Sequence, residues 1–204
     1  MQQRAIETRQ MILEAAAEVF DRDGYSGATI AKIHQRAGVT QGALTFHFRT
    51  KLDLAHEVMN AQKNHFSLPP GEDGLQRLID TTLLLAQELQ TNMLLRVGVR
   101  LAVDQELIGI HDPTPYQMWV DEFKGQLSAA AARGELREHV DVEELAELLV
   151  GIYTGIQLFS QSASRRADLP ERLVSFWRYC MGGFVPPHVQ AEMTVDADQF
   201  TAAV

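Results

Sequence analysis

Gln41, Thr45 and His47 are the residues of this 204-residue chain whose types and spacing suggest chemistry. They lie in the stretch Thr29 to Lys51, which reads TIAKIHQRAGVTQGALTFHFRTK. The segment that carries them, Gln41 to about Phe46, is too short to be a stable helix on its own. An amide, a hydroxyl and an imidazole displayed on such a segment are placed for reading by an outside partner. A glutamine can pair bidentately with adenine, and a threonine offers both a hydroxyl and a methyl to a base edge. Ala43 stands beside Gln41 and Thr45 in the same outward set. Thr29, Thr40, His47 and Lys51 suit phosphate oxygens, contacts that position a protein without specifying a sequence. Lys51 would act with the backbone N–H groups of the helix it opens.

A catalytic constellation is not legible. The histidines (His34, His47, His56, His65, His111, His139 and His188) are scattered. There is no H-x-x-x-H pair, no Gly-rich phosphate loop and no nucleophile elbow. Cys180 sits in an apolar run, where a thiol is core rather than nucleophile. The expectation is no enzyme, no metal and no cofactor.

The elements that must position the polar set follow from local pattern. Ile30, Ile33 and Ala37 recur at helical spacing, and Gly38 breaks the run where a left-handed C-cap belongs. Val39 is the apolar plug of the turn, and Thr40 is an N-cap for the next helix. Two readings fit this spacing. One is a helix-turn-helix whose second helix enters a DNA major groove. The other is an ordinary helical hairpin inside an all-helical core.

The pattern T-I-x-x-I-x-x-x-A-G-V-T-x-G-A-L-x-F-H-F-x-x-K-x-x-L over Thr29 to Leu54 resembles the DNA-binding signature of the TetR-type transcriptional repressors. Its GALxFHF variant, followed by K-x-D-L-A, is similar to the receptors for gamma-butyrolactone and butenolide autoregulators. The match is long and specific in the amino-terminal part and much weaker over residues 60–204. The resemblance implies a homodimer on pseudo-palindromic double-stranded operator DNA. It further implies release by a small apolar signalling molecule, a gamma-butyrolactone or butenolide, in control of secondary metabolism and antibiotic production. Position 45 departs from the family, where tyrosine is common. Thr45 cannot reach as far as a tyrosine hydroxyl, so it is expected at a base methyl, and operator preference does not carry over from relatives.

Charge gives a counterweight. The net charge is −9 and the pI near 5.2, which speaks against nucleic acid. Residues 1–52, however, carry seven Lys or Arg against five acids, a local +2 that leaves −11 on the remainder. A distant acidic lobe is screened beyond about 8 Å at physiological salt. A mildly basic head on an acidic body can bind DNA with a modest salt dependence. A hydrophobic content of 46% supports a packed core. One cysteine, no long apolar run and no signal peptide point to the cytoplasm.

In chain order, residues 4–22 read as an amphipathic helix with Met11, Ile12, Ala15, Ala16, Val19 and Phe20 inward, closed at Gly24. Arg4 and Arg9 sit where a helix dipole disfavours cations; a nearby phosphate or simple solvation explains them. A helix from Lys51 to about Phe66 places Leu54, Ala55, Val58, Met59, Gln62 and Phe66 on one face. Gln62 is either a half-exposed edge residue or a polar contact in a ligand pocket. Further helices are expected over 74–90, 92–105, 115–133, from Val140 through Phe159, and over 169–181. Trp119 is core or an aromatic pocket wall; autoregulator receptors carry a tryptophan similarly placed. Thr154 resembles a ligand-bonding position of the family, or else bonds its own helix. The expected pocket lies between the Lys51 helix and the helices of Trp119 and Thr154. From Leu145 to Phe159 the helix that begins at Val140 is apolar nearly all round, which predicts one face on the core and one on a second chain.

The expected architecture is all-α. A helix-turn-helix domain spans 1–50, a ligand-binding and dimerisation domain spans 51–190, and a poorly ordered tail spans 191–204. The alternatives are a TetR-type repressor sensing a drug or fatty acyl derivative, and a dimeric adaptor that does not bind DNA.

Overall fold

The computed structural model describes residues 2–62, 66–67 and 70–200. Over these residues the chain is all-helical, as patterned, with eleven α-helices and no strand. In order they are α1 (Gln2–Gly27), α2 (Ile30–Ala37), α3 (Gln41–His47), α4 (Lys51–Asn60), α5 (Leu75–Thr91), α6 (Met93–Val103), α7 (Gln105–Ile108), α8 (Thr114–Ala132), α9 (Val142–Ser164), α10 (Leu169–Cys180) and α11 (Pro187–Gln190). They pack as two compact units, one of residues 1–66 and 92–115, the other of residues 67–91 and 116–204. This division differs from a boundary near residue 50, because the helices before that residue share a core with α4 and α6.

In the first unit, α1 buries Ile12, Ala15, Ala16, Val19 and Phe20. Met11, at the edge of the expected stripe, is instead 49% exposed. Gly24 breaks α1 as expected, with φ 69° and ψ 168°, and Ala28 ends the following turn inside the core. α4 opens on a capping box in which the Thr50 hydroxyl and the Asp53 carboxylate each take a backbone N–H of the other. Leu54, Ala55, Val58 and Met59 are all buried. The helix stops at Asn60 rather than near Phe66, and residues 63–65 lie outside the described set. Gln62 folds back and donates to the Met59 carbonyl at 2.9 Å, taking an acceptor a continuing helix would use. α6 approaches α4 closely at Gly98. A Cβ there would fall 2.9 Å from the Val58 carbonyl oxygen and 2.8 Å from Gln62 Cγ, so only glycine permits this spacing.

In the second unit, α5 buries Leu75, Leu78, Ile79, Thr82, Leu83, Ala86 and Leu89, the face expected from spacing. Trp177 of α10 is fully buried and donates its indole N–H to Thr82 Oγ1 at 2.9 Å, joining the two helices. α9 starts on Asp141, which accepts from the backbone of Glu143 and Glu144, and runs to Ser164, a turn beyond expectation. Its inner face is Leu145, Ala146, Leu149, Val150, Tyr153, Gln157 and Ser160. Its outer face leaves Leu148 and Phe159 more than half exposed, beside Gly151 and Gly155, which have open space around them.

The segment after α11 is not loose through residue 199. The Gln76 carboxamide pairs both ways with the Thr194 backbone, at 2.9 and 2.8 Å. Gln87 donates to the Ala197 carbonyl and Gln199 to Asp80. Polar side chains of α5 thus substitute for the apolar pattern that the tail lacks. Residues 201–204 lie outside the described set.

Candidate functional site

α2 and α3 form the tight pair that Gly38 and Val39 predict. Gly38 takes the left-handed conformation, φ 67° and ψ 24°. Ile33, Ala37 and Leu44 pack inward, and Phe48 closes the core behind α3. The threonines that precede α2 and α3 act as their N-caps. Thr29 Oγ1 accepts from Lys32 N–H and Thr40 Oγ1 from Ala43 N–H. A capping threonine contributes about 1 kcal/mol to its helix. Each hydroxyl accepts in its cap and keeps its own proton to donate outward, the geometry a phosphate oxygen needs.

α3 presents Gln41, Thr45 and Phe46 outward, with Ala43 and His47 half exposed. Thr45 Oγ1 donates to the Gln41 carbonyl at 2.8 Å, so its proton is engaged and its methyl is the free contact. Gln41 has its whole carboxamide free among the described residues. Phe46, at 82% exposure, was not among the residues expected to read DNA. It belonged to the motif, and a motif phenylalanine suggests core. Its signal was position: Leu44 and Phe48 occupy the inward side, which turns residue 46 away. The His47 ring meets Phe46 edge-on at 5.2 Å.

The cations of the head are mostly engaged inside the protein. Arg9 pairs with Glu57 and lies over the Phe48 ring, tying α1 to α4, so neither solvation nor a phosphate is needed to place it. Arg36 pairs with Glu18, and Arg22 and Lys32 share Asp23, whose carboxyl they hold far below the ordinary range. The Lys51 ammonium donates to the carbonyls of Tyr25 and Ala28 at 2.9 and 3.0 Å and lies over the Tyr25 ring. It is half-buried and closes the end of α1 onto α4. Arg4 and Arg49 are the two exposed cations of residues 1–52 whose side chains have no partner among the described residues. Arg49 follows α3 directly.

The expected ligand residues fall in different units. Gln62 is in the first, 2% exposed and bonded to Met59, so it is not an edge residue. Trp119 and Thr154 are in the second. Trp119 is 8% exposed and meets Phe123 at 6.4 Å between ring centroids. Thr154 Oγ1 donates to the Val150 carbonyl of its own helix, which leaves its lone pairs but not its proton for a ligand. Beside Thr154, Tyr153 is buried with its hydroxyl unbonded.

No group of three or more His, Cys, Asp or Glu that could hold a metal occurs among the described residues. None of the described helices is long and apolar enough to cross a membrane.

A capped helix pair, an outward-facing α3 and an all-helical second unit define a helix-turn-helix transcriptional regulator. Residues 12–58 match the family described as bacterial regulatory proteins, tetR family, and residues 72–186 match the tetracyclin repressor-like C-terminal domain. The chain belongs to the TetR family. It is 36% identical to the A-factor receptor protein of Streptomyces griseus over 96% of this chain and 71% of that protein. It superposes on TylP, a TetR regulator from Streptomyces fradiae, with a TM-score of 0.84 at 40% identity, covering 96% and 94% of the two chains. A structure described as a gamma-butyrolactone receptor, ArpA-like, matches with a TM-score of 0.67 at 30% identity over 93% of each chain. The resemblance read from the motif therefore extends through the second unit.

Proposed function

We propose that this TetR-type repressor is a homodimer that holds a pseudo-palindromic operator and leaves it on binding a gamma-butyrolactone or butenolide, acting in the cytoplasm without catalysis. The observation that carries the DNA half is the outward face of α3 on a scaffold fixed by two N-caps and the Lys51 contact. Gln41 reads an adenine edge, and Thr45 and Phe46 meet base methyls or sugars. Ala43 allows close approach. Thr29, Thr40 and His47 position phosphates together with Arg49, and Lys51 supports the helix from behind. The ligand half is supported by relatedness, over nearly all of this chain, to an A-factor receptor and a gamma-butyrolactone receptor.

Trp119 and Thr154 of the second unit are the proposed ligand contacts, and Gln62 is proposed as one in the first unit. The ligand changes the spacing of the two α3 helices, and half-sites set by whole helical turns of about 34 Å tolerate little error. Differential affinity for the two spacings supplies the switch, with a coupling of about 1–3 kcal/mol.

The test is an electrophoretic shift on DNA upstream of this protein's own gene, with and without an organic extract of the producing culture. The expected result is a shift that the extract reverses and whose active fraction is a lactone. A shift reversed only by a drug or a fatty acyl derivative would replace the ligand class. The absence of a shift at moderate salt would return the protein to the adaptor class.

A further inference from the structure

α3 reads QGALTFH, with no arginine and no lysine. That limits what its outward face can recognise. Guanine shows the major groove two acceptors, N7 and O6, and its commonest partner is a cation with paired donors. Thr45 cannot take that role, because its hydroxyl proton is engaged by the Gln41 carbonyl at 2.8 Å. The same bond fixes the rotamer, and the Cγ2 methyl is what Thr45 offers to a partner. Phe46 beside it is 82% exposed, and the His47 ring stands edge-on to it at 5.2 Å. Ala43, one turn before His47, is half exposed.

Alanine, a threonine methyl and phenylalanine complement one group on the base edges, the C5 methyl of thymine. Cytosine lacks that methyl, and water against a bare phenyl ring is unfavourable until an apolar group covers it. Spacing limits where the methyls lie. Neighbouring Cα atoms are about 3.8 Å apart, close to the base-pair rise of about 3.4 Å. Gln41 precedes Thr45 by one turn, about 6 Å along the axis, which is under two base-pair rises. The three side chains therefore address one short run of base pairs.

We infer that Thr45 and Phe46 hold the C5 methyls of thymines in two neighbouring base pairs of each half-site, beside the adenine paired with Gln41. The inference rests on the operator reading above. It adds what the operator must contain and which atoms distinguish it from a G·C sequence. Position 45 is where this chain departs from the tyrosine common in the family it resembles, so the composition of the half-site follows from Thr45 and not from relatives.

Uracil differs from thymine only by the missing methyl, and it pairs alike. The experiment is uracil interference on the DNA upstream of this protein's own gene. The fragment is amplified with a fraction of deoxyuridine in place of thymidine, bound and free DNA are separated, and uracils are mapped by uracil-DNA glycosylase and alkali. With wild-type protein, uracil is expected to be depleted from the bound DNA at thymines of two neighbouring base pairs in each half-site. Burying one methyl is worth about fourfold in affinity, so a fragment made wholly with deoxyuridine should bind about tenfold or more weakly. Thr45→Ser keeps the hydroxyl that bonds Gln41 and drops only the methyl. It should lose interference at one of the two positions, and Phe46→Ala at the other, with melting temperatures unchanged because both side chains are exposed. A bound fragment with no interfering thymine overturns the inference and leaves the operator reading standing. Interference that persists unchanged in either variant overturns it too, as an effect of uracil on DNA shape would require. Failure of the unmodified fragment to shift overturns the operator reading and the inference together.

Discussion

Single side chains divide the reading head into those that face a partner and those that hold the head together. Among the described residues the Gln41 carboxamide has no intramolecular bond, so removing it costs the fold little. Gln41→Ala is expected to lose about 1–3 kcal/mol of operator affinity. Non-specific DNA binding should hardly change; equal losses in a shift assay on both DNAs would rule out base reading. Lys51 and Arg49 are two residues apart and are expected to fail differently. The Lys51 ammonium holds two backbone carbonyls, and a hydrogen bond from a charged group contributes about 1.5–3 kcal/mol. Lys51→Met should lower the unfolding midpoint. Arg49→Ala should leave the midpoint alone and reduce the dependence of log K on log salt by about one per subunit. A reversed pattern would make Lys51 the phosphate contact.

Helix-scale predictions concern how α4 is held and how α9 meets α10. At Gly98 an added Cβ would press on the Val58 carbonyl, a backbone atom that cannot step aside. Gly98→Ala is expected to cost about 1–3 kcal/mol of stability, as overpacking does. Because α4 carries the head, operator affinity should also fall; an unchanged operator complex would show that α4 tolerates the shift. At the turn between α9 and α10, Asp168 accepts from Ser160 and Ser164 and pairs with Arg172, which holds its carboxyl far below the ordinary range. A depressed folded-state pKa means stability that is present above the unfolded value near 3.8 and lost as pH falls below it. The midpoint difference between wild type and Asp168→Asn should therefore be present at pH 7 and shrink below about pH 4. A constant difference across that window would remove the linkage.

At the scale of the whole molecule, the outer face of α9 is left uncovered. Leu148 and Phe159 are exposed at 55% and 60%, and Tyr179 of α10 at 81%. Gly151 and Gly155 leave the α9 backbone open for a close neighbour. A second copy of the chain covering this face is expected, with a four-helix interface built from α9 and α10 of each copy. Phe159→Asp should yield a monomer by sedimentation and abolish operator binding, with helical content by circular dichroism unchanged. A dimer surviving that change would place the interface elsewhere. The acidic body follows the same logic: the −11 charge outside residues 1–52 lies away from the segment that meets DNA in sequence, and the head carries its own +2.

What the sequence determined alone is what local pattern controls. The helix-turn-helix, its Gly38 and Thr40 caps and the apolar face of α5 were legible because spacing and capping chemistry act over a few residues. The family was legible because α3 and its flanks form one continuous motif. The tertiary structure decided where side chains of either character end up. It turned Phe46 outward, fastened Lys51 and Arg9 inward, ended α4 at Asn60 and bound the tail to glutamines of α5. It also left Tyr153 and Gln157 buried without partners. Each of these depends on groups far apart in the chain, and a pattern of neighbours carries no record of which carbonyl or carboxylate a long side chain will meet.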